Sequence, residues 1–434
     1  MALFIGAAGK DILTSRAAIG MIEEWRKLLT IRVASLAPGE ESALLSELRA
    51  RLSDELALEE QLAAQLTVLE TALTTASFQD ELATVCRRFT VLAGDHFRYR
   101  RSVIATQYIC NGFRDRLLAK TLSLIEELLV PEYGPAPAPY TLLAAGTSGR
   151  LEQSLSGCSD YFLIHDGNND CADYFSRFVV LLMALFKECG LLVLSRHAPL
   201  GEYFWQGSVS DWESMVDLEL RSGETKPRPP LPVLPTLTGP TWGPQPLREE
   251  YTLMIATLLD LRPVWGDERL AAATLEHSRM VLGREETMDG YRQLSRKIAA
   301  MPVAVGLFGW FRVARSGDHR GEFSLEQLAL APLIMTVRLC ARQWGINTTS
   351  TVARIKGIFA AGRIGVELAE RVLRAYHEFT SYKIEMEIRQ SLDGGEFFFN
   401  PEELTADAAE RFKDGLEAVV SLQKLFHQAL VEAG

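Results

Sequence analysis

Cysteines are few in this chain, and none is spaced for chemistry. Cys86, Cys110, Cys158, Cys171, Cys189 and Cys340 lie scattered through 434 residues without a CxxC pair or Cys/His ligand spacing. That excludes a zinc module and a disulfide framework, and leaves reduced, buried thiols. Long hydrophobic runs are lacking too. The longest, Phe178 to Phe186, stops at Lys187 and Glu188, well short of the roughly 20 apolar residues that a bilayer-spanning helix needs. The opening MALFIGAAGKD has neither a basic lead-in nor an extended apolar stretch, so no signal peptide is expected and the protein reads as cytoplasmic, without a membrane partner. Basic charge is in deficit. A formal net charge of −11 argues against a general nucleic-acid surface, because non-specific affinity for phosphate backbones comes from clustered Lys and Arg. No Ser, His and Asp constellation suggests hydrolysis, and His165 and His319 read as a strand-end and a turn histidine.

What is present is a folded chain, 47% hydrophobic and long enough for two or three domains. Residues 1–133 read as helical. Ile19, Ile22, Trp25 and Leu29 share one face, and Leu45, Leu48, Leu52, Leu62, Leu66, Leu69 and Leu73 form a seam interrupted at Glu55 and Glu59, which suits a helical bundle or hairpin. Arg87, Arg88, Arg98, Arg100 and Arg101 interleave with Phe97 and Tyr99, as in a nucleotide or RNA contact or on a solvated helix face. Residues 134–222 form a mixed domain. In it Ser210 to Leu220 fits a helix or a strand, and only as a strand would it turn Asp217 and Glu219 to one face. Residues 223–249 are a proline-rich linker, and 250–434 return to helices, with a hairpin expected across the turn SGDHRG.

The mixed domain carries the signature. In YTLLAAGTSGRLEQSLSGCSDYFLIHD, Tyr140 to Asp166, a buried strand over Leu142 to Ala145 meets a turn at Gly146 and Thr147. A helix can open from Ser148 to Leu155, and Asp160 heads a second strand over Tyr161 to Ile164. Such a turn gathers backbone N–H groups at one spot, which suits a triphosphate, and a carboxylate on the next strand suits its Mg²⁺.

These residues resemble the nucleotidyltransferase signature of the DNA polymerase β superfamily. Asp160 follows Thr147 by 13 positions, but Phe162 stands where a second acid is expected. The resemblance narrows to bacterial proteins related to the N-terminal part of PII uridylyltransferase, through the GTSGRLEQSL motif, the block LLDLRPVWGD at Leu258 to Asp267, and GLFGWFRVARSGDHRGEFSL at Gly306 to Leu325. It implies an α+β fold, a small mixed sheet flanked by N- and C-terminal helical domains, the former a regulatory or homodimerising part and the latter binding substrate. It also implies Mg²⁺-dependent transfer of a nucleoside monophosphate from ATP or UTP to a regulatory protein or small-molecule acceptor. Gly146, Thr147, Ser148, Gly149, Arg150 and Glu152 would bind nucleotide, Asp160 would hold the metal, and Asp217 and Asp260 would be further catalytic carboxylates. For Asp260 and Arg262 the alternative is a buried pair pinning a helix that Pro263 ends. Glu326 is a second departure, an anion where relatives commonly carry a lysine. With Phe162 it favours a catalytically degenerate regulator that binds nucleotide or a partner, whereas the intact turn and Asp160 favour the enzyme. Arg338, Asn347, Thr349 and Arg354 match polar family positions or are ordinary caps and surface residues.

Overall fold

Buried apolar strands and helices of three- and four-residue periodicity build the described parts of this chain. The computed structural model describes residues 41–156, 160–190, 204–220, 249–299, 311–389 and 397–432. The expected face at Ile19 to Leu29, a strand expected at Leu191 to Leu194, and all but the last residue of the 223–249 linker lie outside them. Contacts divide the chain into two units, Met1–Phe113 and Arg114–Gly434.

In the first unit, helix α1 (Glu41–Thr75) turns into α2 (Gln79–Arg100). Leu62, Leu69 and Leu73 of the leucine seam are buried, as are Leu82, Val85, Phe89 and Phe97 of α2. Glu81 closes the start of α2 by accepting the backbone N–H groups of Ser77 and Phe78. Phe97 belongs to the core while Tyr99 is exposed, and Arg98 pairs with Asp95 and Arg100 with Glu59. The arginine run is thus partly a solvated, ion-paired face.

Helix α3 (Val103–Tyr133) runs through the division into the second unit, where β1 (Tyr140–Ala145), a one-turn helix α4 (Gly146–Gly149) and β2 (Asp160–His165) follow. Helix α5 (Ala172–Glu188), β3 (Phe204–Ser208), α6 (Val209–Leu220), α7 (Glu249–Asp260), β4 (Arg262–Gly266), α8 (Glu268–Leu282) and α9 (Glu285–Ala299) complete the mixed region. The sheet order is β3-β2-β1-β4. Strand β1 is antiparallel to both neighbours and β3 is parallel to β2, so the sheet is mixed. Both central strands are buried throughout, which is why their centres, residues 142–145 and 161–164, read as unbroken apolar runs. On one face Tyr140 packs against Phe175 and Phe178 of α5, and Tyr161 against Phe186. On the other, Phe162 meets Trp212 of α6.

Three sequence readings change. Ser148 to Leu155 does not make a helix beyond Gly149: Leu151 takes a left-handed φ of 58° and the chain straightens. The LLDLRPVWGD block is a helix only to Asp260. Arg262–Gly266 is an edge strand, where Pro263 opposes Leu143 without breaking an interior ladder. The expected hairpin closes only next to its turn, where Ala314 donates to the Glu322 carbonyl and Gly321 to that of Ala314, and it extends into no longer ladder between its two arms. Strand β5 (Phe323–Ser324) pairs instead with β6 (Phe398–Phe399).

The helices after it are α10 (Ala331–Gln343), α11 (Thr351–Ala360), α12 (Val366–Arg389) and α13 (Ala406–Glu432). Glu326, the departure noted above, finds a local cation in Lys383 at 3.3 Å. Among the described residues no helix is long and apolar enough to cross a membrane.

Candidate active site

The turn after β1 is shaped by two glycines. Gly146 has φ +62°, and a Cβ there would lie 3.2 Å from Asp160 Oδ2. A Cβ on Gly149 would lie 2.1 Å from the Asp260 carbonyl oxygen, so only glycine lets the turn meet the end of α7. Arg262 donates to the Ser148 carbonyl at 3.1 Å and holds Asp115 through two bonds, at 2.9 and 3.0 Å. It therefore clamps the turn onto α3. The pair expected between Asp260 and Arg262 is not made.

Asp260 is instead the centre of a buried arginine cluster. Each of its carboxylate oxygens accepts from two guanidinium nitrogens. Oδ1 takes Arg338 Nε at 3.1 Å and Arg354 at 2.9 Å, while Oδ2 takes Arg150 at 2.7 Å and Arg338 again. Burial alone would raise this carboxyl, but Arg338, Arg150 and Arg354 outweigh it and hold it at about 2. Arg150 is in turn bonded to Glu152 at 2.7 Å, and these carboxylates keep its guanidinium charged despite burial.

Asp160 opens β2 opposite Ala145, beside Gly146. Burial pushes its carboxyl up to about 7, opposed by Arg150 and assisted by the charge of Asp260. That folded value lies above the ordinary 3.8, so folding takes up a proton between about pH 4 and 7 and stability falls as pH rises through that window. Above pH 7 the cost reaches up to about 4 kcal/mol. Asp160→Asn is expected to stabilise the chain in urea unfolding, by clearly more at pH 8 than at pH 5. Equal gains at both would remove the buried ionisation.

The fold therefore brings Gly146, Thr147, Ser148, Gly149, Arg150, Glu152, Asp160 and Asp260 into one neighbourhood. It treats Asp217 differently. The segment left open in the sequence is helix α6, and Asp217 on it pairs with Arg284 at 2.8 Å. Beside Asp160 on the same face of β2, Phe162 is buried edge-on against Trp212, with ring centroids 5.3 Å apart. Among the described residues no group of three or more His, Cys, Asp or Glu is arranged to hold a metal ion.

Arg338 and Arg354, which the sequence leaves open between polar family positions and ordinary caps or surface residues, are both buried. A signal existed: Arg338 sits between Val337 and Leu339 on a helix buried nearly all round, where a lone cation needs a partner. Arg114 and Glu387 carry no motif of their own, although Glu387 follows Phe379 and Ile384 on a buried stripe.

A small mixed sheet with a glycine turn after its first strand and an acid heading the second is the arrangement of a nucleotidyltransferase domain. Residues 87–226 match the family described as "Putative nucleotidyltransferase DUF294", and residues 289–430 match the "Putative nucleotidyltransferase substrate binding domain". Together they span most of the chain, which belongs to this family. No curated protein matches it.

Proposed function

We propose that this chain is a regulator built on the nucleotidyltransferase fold, which binds a nucleoside triphosphate, ATP or UTP, at the Gly146 turn without transferring from it. The observation that carries this reading is the closure of Phe162 against Trp212, in the place where the resemblance puts a second acid. Mg²⁺ prefers a near-octahedral oxygen shell and gives up water reluctantly. Asp160 is buried and raised to about 7, and both oxygens of Asp260 are taken by arginines. These residues do not fit the paired-ion arrangement that the resemblance implies. Arg150 and Arg262 are likewise committed to carboxylates, so phosphate would be met by the turn of Gly146 to Ser148.

A second reading, Mg²⁺-dependent transfer of a nucleoside monophosphate to a protein or small-molecule acceptor, is favoured by the closeness of Asp160 to Gly146. Calorimetric titration of ATP and UTP, with and without Mg²⁺ and repeated on Asp160→Ala, separates the two. Binding indifferent to Mg²⁺ and kept by the variant is the expected result. Mg²⁺-dependent binding lost in the variant would favour transfer, and absence of binding would overturn both readings.

A further inference from the structure

The chain that leaves the Gly146 turn is irregular from Glu152 to Ser156, yet Gln153, Ser154 and Leu155 are buried. Buried backbone without a ladder needs other partners, and here they come from two distant helices. From α3, Arg114 donates to the carbonyls of Ser154 and Leu155 and to the Gln153 side chain. From α12, the single carboxylate of Glu387 accepts the Ser154 hydroxyl at 2.7 Å, the Leu155 N–H at 2.9 Å and the Ser156 hydroxyl. At the start of the loop, Glu152 accepts the backbone N–H of Thr351, at the head of α11. Three carboxylates, Glu152, Asp260 and Glu387, therefore join the signature segment to α10, α11 and α12 of the region matched as a substrate binding domain.

Their roles differ. Asp260 neutralises three cations and is a stability element. Among the described residues Glu387 bonds only to Ser154, Leu155 and Ser156, and these bonds fix that stretch of chain after the turn. We propose that Glu387 is a positioning residue, through which the C-terminal helical region sets the geometry of the nucleotide site from more than 230 residues away in sequence. This rests on the nucleotide-binding reading above and adds its control: a change in the placement of α12 reaches the turn through one carboxylate.

The test measures ATP affinity by calorimetry, amide hydrogen exchange and urea stability on the full chain, for wild type, Glu387→Ala and Ser154→Ala. Removing the acceptor is expected to weaken ATP binding about tenfold or more, the scale of a charge-assisted hydrogen bond. The Leu155 amide should lose protection while the amides of α12 keep theirs, which a merely structural loss would not produce. Ser154→Ala should act in the same direction with a smaller effect, and it decides the matter if Glu387→Ala does not fold. Affinity within about twofold of wild type, or Leu155 protection unchanged, would overturn the proposal. If wild type binds no ATP, the nucleotide reading fails while the exchange experiment still decides whether Glu387 holds the loop.

Discussion

Asp260→Asn is expected to cost about 3 to 5 kcal/mol of folding stability, the penalty of breaking a buried ion cluster from one side. Replacing the charge strands Arg150, Arg338 and Arg354, three guanidiniums that converge on one carboxylate whose side chain is 1% exposed. Arg338 shows the tension already: burial, together with repulsion from Arg150 and Arg354, pulls its guanidinium below the ordinary value even with Asp260 present. The double variant Asp260→Asn with Arg338→Met should recover part of the loss, since one stranded cation is then gone. Urea unfolding of the two variants checks this, and a single variant within about 1 kcal/mol of wild type would remove the cluster from the stability argument.

The same cluster has a pH signature opposite to that of Asp160. The folded carboxyl of Asp260 is held at about 2, below its ordinary 3.8. Its stabilisation is therefore fully present above about pH 4 and disappears as pH falls toward 2. Two buried carboxylates thus act in adjoining windows, one losing stability on acidification and the other gaining it.

How far the sequence carried this depends on range. The strand, turn and strand at Tyr140 to His165 was legible because both central strands are buried on two faces and carry unbroken apolar cores, residues 142–145 and 161–164. The helix Glu268–Leu282 falls in the helical stretch expected after residue 250, and Asp267 caps it by accepting the Leu270 N–H at 2.8 Å. The edge strand at Arg262 was not, because Pro263 after an apolar helical run reads locally as a helix end, and only its position at the sheet edge makes a strand tolerable there. The partners of Asp260 lie 78, 94 and 110 positions away, and no local periodicity encodes which of many arginines will close on it. Glu387 left a trace as an acid on an apolar stripe, but its partner loop is defined only by the tertiary fold.

Phe162→Asp, which would restore the acid that the resemblance leads one to expect, is expected to destabilise the chain rather than build a metal site. Phe162 is buried with its ring edge-on to Trp212, and Trp212 is itself fully buried and stacks edge-on with Trp205. Deleting such a ring costs about 3 to 5 kcal/mol. A carboxylate in its place adds desolvation beside Asp160, whose own ionisation burial already opposes. Leucine at the same position keeps the apolar contact and should cost only about 1 to 2 kcal/mol. Thermal melts of Phe162→Leu and Phe162→Asp, with and without millimolar Mg²⁺, separate the effects. A large loss for Asp that Mg²⁺ does not repair is the expected outcome, because the carboxylate would face the Trp212 ring and not an open oxygen shell. A stable Phe162→Asp chain that gains Mg²⁺-dependent ATP binding would mean that the pocket can open around a second acid, and the regulator reading would then give way to that of a transferase one substitution from activity.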